Sequence, residues 1–218
     1  MQIQSNSDQW SVCDAGYEIY EESALAFVDK VTTDVLANPG PPLRCIRARS
    51  LAPDRMRQYT PHSGLYLQFA ALDTTEERVE AACLDFASRF GLLGISPRRS
   101  SEPIRRWIQA VGLMQMNILR AISAPHLCEG MEFSHIRARL VPDGGRLVWR
   151  MTADSLLEMM SLQFADALAR GVAIRECKYC GRWFEAGGEG RRIDAQFCSR
   201  AHKVAFHDGL KMQRRKGE

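Results

Sequence analysis

Four side chains late in the sequence have the types and spacing of a metal site. Cys177-Lys178-Tyr179-Cys180 sets two thiols three residues apart. Cys198-Ser199-Arg200-Ala201-His202 sets a thiol and an imidazole four apart, with seventeen residues between the two pairs. Zinc prefers four soft or borderline donors in a tetrahedron, and three cysteines with one histidine is one of its structural sets. A tight turn can bring Cys177 and Cys180 onto one ion. Gly181, directly behind them, can let the backbone turn back and aim N–H groups at the thiolates. Cys198 and His202 are i and i+4, so on a helix they project from one face. His207 stands nine residues after Cys198, about half a turn out of phase, which ranks it behind His202. Four protein ligands leave no open position for a water. The expected cofactor is therefore one structural Zn2+ per chain rather than a hydrolytic centre. A lone C-x-x-C could be redox-active, but the βαβ context of a thioredoxin is missing.

The elements that must hold these ligands can be read around them. Trp183-Phe184-Glu185 and Ile193 to Phe197 suit two arms of a hairpin, with Ala186-Gly187-Gly188-Glu189-Gly190 as its loop. A helix from Cys198 would carry the second ligand pair. Trp183 and Phe184 fit the small core of such a module better than a base-stacking surface. Knuckle, hairpin and ligand-bearing helix describe a treble-clef-like zinc finger over residues 172–218. Cys13, Cys45 and Cys83 have no ligand spacing and read as ordinary thiols, and His62 as an ordinary histidine. His126, Cys128 and His135 could in principle share a metal, but no fourth partner is evident.

The remaining sequence, residues 1–171, reads as an α+β domain, helix-rich with a small antiparallel sheet. Ala24 to Leu36 suits a helix capped by Ser23, and Arg44 to Ala52 a strand. Thr74 and Glu77 have capping-box spacing ahead of an apolar face of Val79, Ala82, Cys83 and Phe86, with Gly91 at the end. A second helix follows Ser101-Glu102-Pro103, with Ile104, Trp107, Ile108, Val111, Ile118, Leu119 and Ile122 as its stripe. Residues 133–151 alternate as a hairpin around Pro142-Asp143-Gly144-Gly145. Thr152 is placed to cap a helix from about Ala153 to Arg170, with Leu156, Met160, Phe164, Ala167 and Leu168 buried.

Charge is unevenly distributed. The formal net charge is +3. Residues 171–218 hold 11 Lys/Arg against 6 Asp/Glu, and the preceding residues hold 18 against 20. A basic tail calls for an anionic partner, nucleic acid first and DNA ahead of RNA. Arg191, Arg192, Lys203, Lys211, Arg214, Arg215 and Lys216 are the candidate contacts. On a helix from Cys198, positions 200, 203, 207, 211 and 214 face away from the zinc side and could lie along a phosphate backbone.

Composition is 45% hydrophobic and 25% charged, near the soluble average, which argues against a disordered or fibrous chain. No apolar run is long enough to cross a bilayer, so no membrane partner is expected. No secretory signal is visible, and the expected compartment is the cytoplasm. No P-loop, G-x-G-x-x-G, G-x-S-x-G or H-E-x-x-H motif occurs, so no catalytic residue is nominated and an enzyme ranks third. Protein docking through the finger ranks second. The larger domain is left to sense a small-molecule ligand or to mediate self-association.

Cys177-x-x-Cys180-Gly181-x-Trp183-Phe184, then Gly190-Arg191-Arg192-x-Asp194-x-x-Phe197-Cys198-Ser199 and a basic end, resembles the C-terminal finger of bacterial CGNR-type zinc finger proteins. Those carry an ABATE domain ahead of the finger. Phe86 to Gly94 resembles a phrase found in bacterial proteins with this kind of tail. His202-Lys203-Val204-Ala205 stands near the place of the family's Cys-Gly-Asn-Arg element, with histidine as last ligand. The resemblance implies a DNA-binding or transcription-regulating role.

Overall fold

The computed structural model describes residues 2–3, 10–27, 41–94, 100–123, 137–187 and 192–216. In chain order the strands are β1 (Gln2–Ile3), β2 (Trp10–Cys13), β3 (Tyr17–Glu22), β4 (Leu43–Ala48), β5 (Met56–Tyr59), β6 (Ser101–Pro103), β7 (Arg137–Asp143), β8 (Arg146–Thr152), β9 (Ala173–Glu176) and β10 (Trp183–Ala186). The helices are α1 (Leu65–Ala70), α2 (Val79–Phe90), α3 (Ile104–Ser123), α4 (Leu156–Ala169) and α5 (Arg200–Lys216). This is the α+β class expected, but with several small sheets in place of one. β3-β4-β6 and β2-β5 are antiparallel, β7 and β8 form the expected hairpin, and β1 runs parallel to β8. The β7–β8 turn is Gly144-Gly145, both at positive φ, so Pro142 and Asp143 belong to the strand. Among the described residues no helix is long and apolar enough to cross a membrane.

The core gathers between helices α1 to α4 and the sheets. Phe69, Phe86 and Trp107 meet edge-on at centroid distances of 5.3, 6.0 and 6.3 Å, which sets positive ring edges against negative faces. Cys13, Cys45 and Cys83 are buried thiols. Burial pushes the Cys45 thiol up to about 11 and the Cys83 thiol up to about 12, so neither is a ready nucleophile.

Several expected local features differ. Thr74 and Glu77 form no capping box. Asp73 instead accepts the Thr75 N–H and hydroxyl at 3.1 and 2.7 Å, and residues 76–78 make a turn before α2 begins. Thr152 ends β8. The cap of α4 is Ser155, whose hydroxyl accepts the Glu158 N–H while the Glu158 carboxylate accepts the Ser155 N–H. On α3, Ile104, Trp107, Val111 and Ile118 are buried as expected, but Ile108, Leu119 and Ile122 are exposed. The buried row runs Trp107, Val111, Met114, Ile118 at alternating four- and three-residue steps, and the expected stripe was wider than the face the core covers. Ala24–Phe27 is one turn of 3-10 helix. Residues 28–40, which hold the remainder of the helix expected there, lie outside the described residues.

One buried carboxylate organises the centre. Glu102 in β6 is 1% exposed and accepts hydrogen bonds from the Leu93 N–H at 2.9 Å, the Gly94 N–H and the Trp107 indole N–H at 2.9 Å. The Leu93 carbonyl accepts the Leu157 N–H at 3.0 Å. The exit of α2, the start of α3 and the start of α4 are thereby tied to one strand.

The C-terminal strands lean on this body. Val172 and Ile174, just past the expected boundary at Gly171, lie in the same buried cluster as the helices, and Trp183 packs against it. The Tyr66 hydroxyl donates to the Glu185 carboxylate at 2.9 Å. The floor that carries the first ligand pair is thus fixed by the main core.

Candidate metal centre

Cys177 to Cys180 forms the turn between β9 and β10, which pair in antiparallel register from Trp183 opposite Glu176 to Ala186 opposite Ala173. The hairpin expected between Trp183–Glu185 and Ile193–Phe197 does not form. β10 is taken by β9 on the other side of the knuckle, and the described residues 192–199 form no strand. Knuckle hairpin, loop and helix still give the treble-clef-like order. The knuckle closes through the Gly181 N–H to the Cys177 carbonyl at 2.8 Å and the Cys177 N–H to the Arg182 carbonyl at 2.9 Å. Gly181 sits at φ +70°, a conformation that disfavours a side chain, as the turn-back after Cys180 requires.

The second pair is built at a helix start. α5 begins at Arg200, not at Cys198. Ser199 accepts the His202 N–H on its hydroxyl and the Lys203 N–H on its carbonyl, both at 3.2 Å, and so caps the first turn. Cys198 stands just outside the helix and His202 inside its first turn. The sequence reading missed this cap, although a serine ahead of a helical run is a recognised start signal.

The candidate ligand atoms of Cys177, Cys180, Cys198 and His202 all lie within 4.8 Å of one another. Among the described residues no other group of three or more such side chains converges this way. Two sulfurs bound at about 2.3 Å to one tetrahedral ion stand about 3.8 Å apart, and Cys180 Sγ lies 3.8 Å from Cys198 Sγ. His202 turns Nδ1 inward, 3.7 Å from Cys177 Sγ and 2.8 Å from Cys198 Sγ. Its ring lies 5.0 Å from that of Tyr179. Burial works to raise the Cys177 thiol, but backbone N–H groups of Cys198, Cys180 and Tyr179, with the His202 imidazole, outweigh it and bring it down to about 6. Burial, then the hydrogen bonds and charges of Cys177 and Cys180, push the Cys198 thiol up to about 11. Once Cys177 is ionised, the neighbouring sulfurs resist ionising beside it, and a cation among them would relieve that repulsion. The group could hold a metal ion, and its donors are those of a soft or borderline one.

Around this centre, Phe184 and Ala186 are buried with Cys177, and Phe197, Ala195 and Cys198 pack on them. Phe184 is therefore knuckle core, while Trp183 serves the main core. His207 is exposed and outside the cluster. Of the candidate anion contacts, Lys203 is exposed on α5. Arg192 is exposed and holds Asp194 through two bonds of 2.9 Å, which keeps the Asp194 carboxyl below its usual value. Lys211, Arg214, Arg215 and Lys216 are positions of α5. Arg191, and the alternative trio His126, Cys128 and His135, lie outside the described residues.

No curated protein and no solved structure matches this chain. A family model described as a family of unknown function (DUF6076) matches residues 130–193, a stretch that takes in α4, the β9–β10 hairpin and the first ligand pair but stops short of Cys198 and His202.

Proposed function

We propose that the chain is a structural-zinc protein that binds nucleic acid through its C-terminal finger, DNA ahead of RNA, with regulation of transcription as the role its resemblance implies. The observation that carries this reading is the Cys3His group at the head of a helix whose sequence is basic: Arg200, Lys203, Lys211, Arg214, Arg215 and Lys216 all belong to α5. Three thiolates and one Zn2+ together carry about −1, so the metal-loaded tail stays basic. Zinc suits three sulfurs and one nitrogen, and four protein ligands make the site structural.

Protein purified without added zinc should contain about one equivalent, and it should bind DNA or RNA with an affinity that falls steeply as salt rises. Changing Lys211, Arg214, Arg215 and Lys216 together to glutamine should flatten the salt dependence by about 0.9 in slope for each lost duplex contact, with zinc content unchanged. Zinc near zero, or no binding of either duplex or single strand at low salt, defeats the reading.

One observation favours a second reading, protein docking or self-association. Ile108, Leu113, Met116, Leu119 and Ile122 on α3 are 37–57% exposed, more apolar side chain than one helix usually shows to water. That reading calls for a protein partner and little affinity for nucleic acid at about 100 mM salt.

A further inference from the structure

Beside the metal centre lies a groove of about 700 Å³, within the size range of small-ligand sites. Arg192, Asp194, Phe197, Arg200, Lys203 and His207 line it. Arg192 and Asp194 neutralise each other. Arg200 and Lys203 make no ion pair among the described residues, so the groove keeps two free positive charges on one side. Its other resource is aromatic. The His207 ring is exposed and stands 5.9 Å from Phe197 and 5.7 Å from Phe206, and those two lie 5.3 Å apart. Positions 200, 203 and 207 fall on one face of α5 and span about 10 Å along its axis.

Resting on the nucleic-acid reading above, we infer that this groove holds a single-stranded segment of nucleic acid rather than the backbone of a duplex. A duplex offers phosphates on a convex surface and hides its base faces in the stack. A cationic groove beside an open ring suits a strand whose bases are free: phosphates meet Arg200 and Lys203, and one base stacks on His207, which Phe197 and Phe206 back. Stacking tolerates any base, so the groove reads strandedness and not sequence. DNA and RNA share this chemistry.

The test uses the full-length, zinc-loaded chain with a labelled single-stranded DNA, the same sequence as RNA, and the matching DNA duplex. Either single strand, or both, should bind roughly tenfold or more tightly than the duplex. His207→Ala should weaken single-strand binding roughly tenfold and leave duplex binding unchanged. The pair Arg200→Gln and Lys203→Gln should lower the single-strand salt slope by about 1.4, at about 0.7 for each contact. Zinc content is measured in parallel. If the double variant loses metal, His207→Ala, which is farther from the ligands, decides alone. Preference for duplex, or full single-strand affinity in His207→Ala, overturns the groove while the nucleic-acid reading stands. Absence of binding to all three overturns both.

Discussion

Cys198→Ser should free the last helix while leaving the knuckle hairpin in place. Metal content should fall from about one equivalent to near zero, because a serine hydroxyl does not replace the thiolate and structural zinc contributes on the order of 10–16 kcal/mol of binding in finger peptides. The fold decides where the damage stops. Val172, Ile174 and Trp183 pack with the main core, and Glu185 is held by Tyr66. Beyond Ala186, the contacts back to the knuckle hairpin run through Cys198 and His202, through the Ile193 and Gln196 carbonyls, which accept from the Arg175 side chain at 2.8 Å and the Lys178 N–H at 3.0 Å, and through a few half-buried side chains such as Phe197. Limited proteolysis of the variant should therefore cut between Ala186 and Arg200. The sequence alone would have placed that cut near Gly171. Loss of helical signal should not exceed the share of α5, 17 residues. Cleavage near residue 171, or collapse of helicity throughout, would show that knuckle and core are one cooperative unit. An unchanged metal content would remove Cys198 from the ligand set.

Glu102→Ala should be the most damaging single change away from the Cys3His group. It strands three N–H donors, the buried ones of Leu93 and Trp107 and the half-buried one of Gly94, and leaves space where a carboxylate had been. An orphaned buried donor costs about 1–3 kcal/mol, so the loss should reach on the order of 4 kcal/mol. That is a large part of the 5–15 kcal/mol typical of a folded protein. Urea unfolding should show a much lower midpoint, and near-ultraviolet dichroism from Trp107 should change because its indole loses its acceptor. Glu102→Gln should fall between, since the amide keeps one accepting oxygen but turns an NH2 toward N–H groups. A loss below about 1 kcal/mol for the alanine variant would mean that water or a neighbour replaces the carboxylate.

The convergence of Cys177, Cys180, Cys198 and His202, a group that could hold a metal ion, was legible because its constraint is local. C-x-x-C and C-x3-H each fit one turn of backbone, so spacing alone carries the geometry. The β7–β8 hairpin was legible for the same reason, with alternation on both arms and glycines between. What failed depended on choices between near-equal local partners or on distant chain. β10 could pair forward with residues 193–197 or backward with β9, and the backward pairing also buries Ile174 in the main core. Asp73 drew Thr75 into a local turn where a capping box at Thr74 was expected, and Ser155 took the cap of α4 three residues after Thr152. Which face of α3 is covered depends on α1 and α4, neither of them adjacent in sequence. Glu102 looks like any surface glutamate until the loop after α2 and the indole of Trp107 close around it.

The parallel pairing of β1 with β8 has a consequence in time. Gln2 sits opposite Arg150 and Ile3 opposite Met151. Synthesis at about 5–20 residues per second leaves roughly 7–30 seconds between the two partners. Contacts this far apart in sequence also carry a high closure entropy and slow the search for the native state. For that interval the nascent chain carries an unpaired strand edge, the kind of surface on which neighbouring chains associate. The upstream strand thus waits for one made some 150 residues later, so this pairing closes late in the history of each molecule.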